Sequence, residues 1–370
     1  MKNEKILFAQ FYLSMFLLFP NFLFAQGIDI TTGGKIEITG AATIEIRDGD
    51  FTNNGTYTKG SETFTMSGTV AKTMSGAVNT DLNNLIITNT GGITTQIGIL
   101  TSNNLTVASG GKFVIASGKA ITVTTALINN AGDGGFIINS DAASNGSLIT
   151  EGTSNGNITY NRYLTSNDWH LISSPVGGQI INTSFMTDNS IASNSGKYGL
   201  APYNNSTPGW QHYTLNPAPS ATFTAGQGYE ILLSSNGTVA FTGTVPTADV
   251  SIGITNNTNA WNLIGNPFPS AIKGNISADA TDNFISLNTS ALDDAYEAIY
   301  VWDAATSAYL TVNQATGAFY MAPGQAFFAY SVAGGSPVNF TEAMQIHQTG
   351  DIFKSEEIPT PSIKLLAERK

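Results

Sequence analysis

The chain has 370 residues, room for two or three domains, and its 15 basic and 26 acidic side chains give a net charge of −11. That balance repels phosphate backbones and argues against a nucleic-acid partner. Cysteine is absent, which excludes disulfides, zinc–thiolate, iron–sulfur and thiol chemistry, and only 11% of residues are charged, while Ile, Val, Thr and aromatic residues are frequent enough to favour sheet over disorder.

Residues 1–25 read as a secretory signal peptide. Lys2 and Lys5 precede an uncharged run rich in Leu and Phe from Ile6 to Phe24, Pro20 breaks that run, and the small Ala25 suits cleavage. The mature chain is expected to begin near Gln26 and to carry no transmembrane segment.

From 26 to 160, short apolar clusters alternate with Gly, Asn and Ser. Ile36/Ile38 and Ile44/Ile46 are followed by Phe64/Met66, Leu85–Ile87, Leu105/Val107, Phe113–Ile115, Ile121/Val123, Phe136–Ile138 and Leu148/Ile149. The spacing, mostly eight to eleven residues, is too short for strand–helix alternation, and period-2 pairs between turn signals are strands. Gly33-Gly34, Gly91-Gly92, Gly110-Gly111 and Gly134-Gly135 offer positive φ at corners. Proline is missing from the region, so every backbone N–H is free to join a ladder. Two all-β architectures fit: a parallel β-solenoid, or an antiparallel β-sandwich built from hairpins. The solenoid is preferred because its coils tolerate irregular turns. An uncovered solenoid end would expose strand edges and promote association.

Beyond Asn161 the composition changes, with all four tryptophans and twelve of the thirteen prolines lying on that side. Trp169-His-Leu-Ile-Ser-Ser-Pro175 returns 92 residues later as Trp261-Asn-Leu-Ile-Gly-Asn-Pro267, and Ala225-Gly-Gln-Gly-Tyr229 is answered by Pro323-Gly-Gln-Ala-Phe327. Two motifs recurring in one order imply two duplicated β-sandwich-like modules, 161–250 and 251–349. Each has an aromatic middle: Tyr198, Tyr203, Trp210 and Tyr213 in the first, Tyr296, Tyr300, Trp302 and Tyr309 in the second. Ala291–Ile299 is the one stretch that reads as a short helix. Residues 350–370 are more charged, with Pro359 and Pro361, and read as a linker or the start of a further module.

Phe51-Thr-Asn-Asn-Gly-Thr56, Asn84-Leu-Ile-Ile-Thr-Asn89, Tyr163-Leu164, Trp169–Pro175, Trp261–Pro269 and Pro323-Gly-Gln-Ala-Phe-Phe328 follow one another in this order. Together they resemble secreted surface proteins of the Bacteroidetes type that leave the cell by type IX secretion. The resemblance implies an exported, extracellular or outer-membrane-surface, adhesin-like protein with a β-solenoid in front and β-sandwich modules behind. It also implies continuation past Met344-Gln-Ile-His347 and Ile363-Lys-Leu-Leu366 into a C-terminal sorting domain; with the sequence ending at Lys370, the expectation is either a truncated reading frame or a missing sorting signal.

Chemistry is sparse. His170, His212 and His347 have no second histidine at metal-binding spacing, and neither a nucleophile elbow nor a phosphate loop occurs. Gly226-Gln-Gly228 reads as a turn leading into a strand. Asp48/Asp50, Asp133 and Asp293/Asp294 are the carboxylates a glycosidase would need in pairs. For Asp48-Gly49-Asp50 a turn is the better reading, and calcium is an unsupported option because the full acidic loop is missing. No catalytic, cofactor or metal residue is assigned. Tyr198, Tyr203, Trp210 and Tyr213 are the candidate ligand contacts, as a stacking platform for sugar rings, against the competing expectation that they fill a core. The reading is a non-enzymatic structural or adhesive surface protein with a glycan or cell-surface partner; the alternative is a carbohydrate-binding or polysaccharide-cleaving protein.

Overall fold

The computed structural model describes residues 22–165 and 168–348. Most of the expected signal peptide and the expected linker therefore lie outside the described residues; residues 22–25 begin a strand, Phe22–Ile30, that runs parallel to Thr43–Asn53.

Residues 27–161 form a parallel β-solenoid of about six turns. One ladder aligns Ile44, Phe64, Leu85, Leu105 and Leu127 from successive coils, and a second aligns Phe51, Met74, Thr95, Ile115, Ile138 and Tyr160. Both columns point inward, and every member is buried. Full burial of each Leu, Ile or Phe stabilises the fold by about 1.5–3 kcal/mol, so the columns are the main cohesive element. Each coil carries two apolar clusters, one on a short strand such as Ile93–Thr95 and one on a long bent strand such as Ile99–Val107. The eight-to-eleven-residue spacing is thus half a coil, ragged because the two halves differ in length.

Polar side chains hold the corners. Asn89 lies fully inside, donates from Nδ2 to the carbonyls of Ser67 (2.9 Å) and Val70 (3.0 Å), and accepts from the Gly92 N–H (2.8 Å). Gly92 itself sits at φ 105°, as the sequence implies, but in the last glycine cluster the left-handed residue is Gly132 at φ 80°, not Gly134 or Gly135. On the outside, Asn104 donates to Asn84 (2.8 Å) and Asn103 to Asn83 (2.9 Å), so amides also stack from coil to coil.

The far end of the solenoid is covered. Its last strand, Asn157–Leu164, pairs antiparallel with Gly237–Thr244. The other terminal strand, Ser147–Thr150, receives the second repeat: the Leu148 N–H donates to the Pro269 carbonyl (2.9 Å), and His347 bridges Thr122 and Ser147 at 2.8 Å each. Part of the strand edge that would promote association is thereby occupied at this end.

Several small antiparallel sheets follow. Two four-stranded sheets share one order: His170–Ile172, Tyr229–Ile231, Leu200–Asn204, Gly209–Trp210 in the first repeat, and Trp261–Gly265, Ala326–Tyr330, Ile299–Asp303, Ala308–Val312 in the second. The duplication extends further than the two sequence echoes. Each repeat has a short helix, Thr183–Asp188 or Phe284–Leu287, N-capped by Asn182 or Asn283. Each helix ends on an asparagine, Asn189 or Asn288, whose side chain donates back to Phe185 or Phe284 and accepts from Ala240 or Asn339. The expected helix at Ala291–Ile299 is not formed. Asp293 there accepts from the Ala295 N–H (3.0 Å), a local turn that competes with helix, and Ile299 already begins a strand.

By the same correspondence, Asn157–Leu164 occupies in the first repeat the place of Val250–Ile254 in the second. The composition break near Asn161 therefore falls inside a strand shared by solenoid and module, and one apolar core runs from Ile30 to Val245 across it. The second repeat has its own core around Phe268, Phe284, Phe327 and Phe340.

Candidate functional site

The two repeats meet face to face through the motifs that recur in the sequence, and the contacts are reciprocal. Ile172 of the first repeat bridges Gln325 of the second, and Ile264 of the second bridges Gln227 of the first. The Ser173 N–H donates to the Gly324 carbonyl (2.9 Å), as the Gly265 N–H does to that of Gly226 (2.9 Å). Such exchange is what an approximate two-fold axis between copies produces. It accounts for the repeated Gly-Gln turns, which lead into strands and dock on the opposite repeat. Around the axis the copies differ at one buried charge: Arg162 donates to the Pro323 carbonyl (2.6 Å), whereas its counterpart Ile252 packs near Gly226.

A cluster of rings fills the seam. Phe328 contacts Tyr203 (centroids 5.1 Å), Trp210 (6.1 Å) and Tyr309 (5.9 Å), while Trp261 packs on Tyr300 (4.7 Å). Aligning the repeats on Gln227 and Gln325 places Glu230 where the second repeat has Phe328. The apolar ring closes one side of the seam; the carboxyl leaves a concavity of about 380 Å³ on the other. Trp169, Trp210, Trp302 and Tyr309 wall it, Leu171 adds an aliphatic surface, and Glu230 and His212 supply polar groups. The Trp302 indole N–H donates to the Trp169 carbonyl (2.8 Å) and ties the two repeats across the mouth. Trp169 is 38% exposed and Tyr309 48%, so the rim is open to solvent.

Glu230 is only 6% exposed, and burial pushes its carboxyl up to about 8. Its Oε1 lies 3.3 Å from His212 Nε2. The other ring nitrogen, Nδ1, is 3.1 Å from the Tyr198 carbonyl, which can only accept, so Nδ1 carries the proton. In the neutral ring Nε2 is then the acceptor, and the shared hydrogen belongs to Glu230. The site thus holds one buried, protonatable carboxyl against an aromatic wall.

A family model described as a domain of unknown function (DUF8693) matches residues 71–364. The chain belongs to that family. The DUF8693 match takes in most of the solenoid coils and both repeats. No curated protein and no solved structure matches the chain.

Of the four rings singled out in the DUF8693 sequence, Trp210 lines the concavity and Tyr203 packs beside it, its hydroxyl accepting from Asn259 Nδ2 (2.8 Å). Tyr198 and Tyr213 lie elsewhere, half-buried against the core of the first repeat. His170 and His347 are apart from the site, and burial lowers each to about 4. The front carboxylates serve the backbone: Asp48 accepts from the N–H groups of Thr69 (2.7 Å) and Val70 (2.9 Å), and Asp50 from that of Thr73 (2.8 Å). Asp133 accepts from Asn157 (3.0 Å), so the flagged carboxylates are not brought together. Among the described residues no three His, Asp or Glu side chains cluster as a metal would require, and no helix is long and apolar enough to cross a membrane. Sequence reasoning missed Glu230. Its signal was present in the echo, as an acid in one copy of an apolar strand whose other copy has phenylalanine.

Proposed function

We propose that the protein is an exported, non-enzymatic structural or adhesive component of the cell surface or extracellular space, of the Bacteroidetes type. The observation that carries this reading is the unbroken stack of coils merging into its capping repeat through one shared strand and one core. Such a body is stiff, and outer amide pairs such as Asn83/Asn103 and Asn84/Asn104 repeat at the spacing of the strands, which suits many weak contacts to an extended partner. The leader-like N-terminus supports export. The alternative, a carbohydrate-binding protein, draws support from the Trp210 side of the seam.

The test is to express the full chain with its leader, fractionate the cells, and measure binding to immobilised polysaccharides and cell surfaces alongside release of reducing sugar. Surface or medium localisation with binding and no turnover is the expected result. Retention in the cytoplasm, or turnover abolished by Asp48→Asn or Asp293→Asn, overturns the reading.

A further inference from the structure

We propose that the concavity between the repeats is a binding site for a methylated ammonium group, free or borne on a larger headgroup, held by the faces of Trp169, Trp210, Trp302 and Tyr309 beside the Glu230 carboxylate. The inference goes beyond the surface-protein reading and does not depend on it. Electron-rich ring faces attract organic cations, and a quaternary ammonium needs no hydrogen-bond partner, so a wall of rings satisfies it. A sugar fits less well. Each of its hydroxyls loses water on entering and requires a replacement partner, and this lining offers little beyond Glu230, His212 and the Tyr309 hydroxyl. The net charge of −11 adds long-range attraction for a cation. Glu230 itself, deeply buried with one protein partner at 3.3 Å, lacks the compensating charge that an ammonium would bring.

Binding is linked to protons. An arriving cation favours the ionised carboxyl, so Glu230 releases its proton on binding, and affinity rises as pH climbs from 6 toward 8. The other titratable groups on the lining are His212 and Tyr309, and Tyr309 stays neutral across this range.

The test uses the full chain, with calorimetry and the fluorescence of the three pocket tryptophans as readouts. Choline and tetramethylammonium are titrated against 3,3-dimethylbutanol, the uncharged isostere of choline, and against glucose and cellobiose. Saturable quenching by the cations, at least about tenfold weaker binding of the isostere, and no response to sugars are expected. Glu230→Gln, which preserves shape, is expected to weaken choline about tenfold and to flatten the pH dependence; a matching thermal melt separates this from misfolding. Phosphatidylcholine vesicles distinguish a membrane headgroup from the free cation: binding to vesicles and to free choline supports the site with a lipid source, and binding to free choline alone supports it with a soluble one. Equal affinity for choline and its isostere, a response to sugars in place of cations, or no saturable response to any ligand overturns the proposal.

Discussion

The solenoid and the paired repeats are both built by reuse, but by different operations. In the solenoid a coil is translated along an axis, so each position meets its own counterpart: Leu85 lies on Leu105, Asn84 on Asn104. Any change there is felt at the same position of the flanking coils, and burial is held in register even where residue type is not, as in Met74, Thr95 and Ile115. In the repeats a unit is turned to face its copy, so each motif meets the other motif and the two versions are free to diverge. Arg162 opposite the role of Ile252, and Glu230 opposite that of Phe328, are the outcome. Translation yields cohesion; rotation yields a seam in which asymmetry opens a pocket.

The sharpest way to break this contrast is Phe136→Ala, a fully buried ring in register with Phe113, on which it packs (centroids 5.4 Å). A loss of about 3–5 kcal/mol is expected by urea unfolding, because the flanking coils cannot close the cavity. Arg162→Ala tests the seam in the same assay, with about 3 kcal/mol expected; Arg162→Met, resembling the apolar counterpart in the second repeat, is expected to restore much of it. Asn89→Ala strands the Gly92 N–H and two carbonyls inside the solenoid and is expected to cost about 2 kcal/mol. Asn104→Ala removes one half-buried rung and should cost about 1 kcal/mol, read as a small shift in midpoint.

The last prediction concerns pH. His347 is neutral when folded, its pKa lowered by burial from 6.5 to about 4, so the unfolded chain binds its proton first. Its contribution is present above pH 6.5 and is lost as pH falls toward 4. Glu230 acts oppositely: raised from 4.5 to about 8, its contribution is complete below pH 4.5 and disappears as pH rises through 8. Melting temperatures across pH 4–9 are expected to carry both opposing trends. His347→Gln should remove a rise between pH 4 and 6.5, and Glu230→Gln a decline between pH 4.5 and 8.

Period-2 pairs such as Phe64/Met66 and Leu105/Val107 were enough to mark strands, because alternation in a half-buried strand is a local property. The duplication was legible for the same reason: Trp-x-Leu-Ile and the Gly-Gln turns are short contiguous strings. The short helices escaped notice because four to six residues carry too little periodicity, and their asparagine caps resemble the many other asparagines of this chain. Of the candidate site, Tyr203 and Trp210 were visible as aromatic density, whereas Tyr198 and Tyr213 shared that density and pack half-buried against the core of the first repeat.

What the amino-acid order alone determined, then, is strand content, a preference for the parallel coil over a sandwich, and the existence of two copies of one unit, since each follows from patterns within a few tens of residues. Only the tertiary structure decided that the copies face each other, that the solenoid lends its last strand to the first of them, and that Glu230 comes to lie among Trp169, Trp210 and Trp302. Those relations join residues as far as 161 positions apart, as the Arg162–Pro323 hydrogen bond does. No local preference specifies them; they arise because burying two aromatic faces against each other removes more apolar surface from water than leaving either exposed.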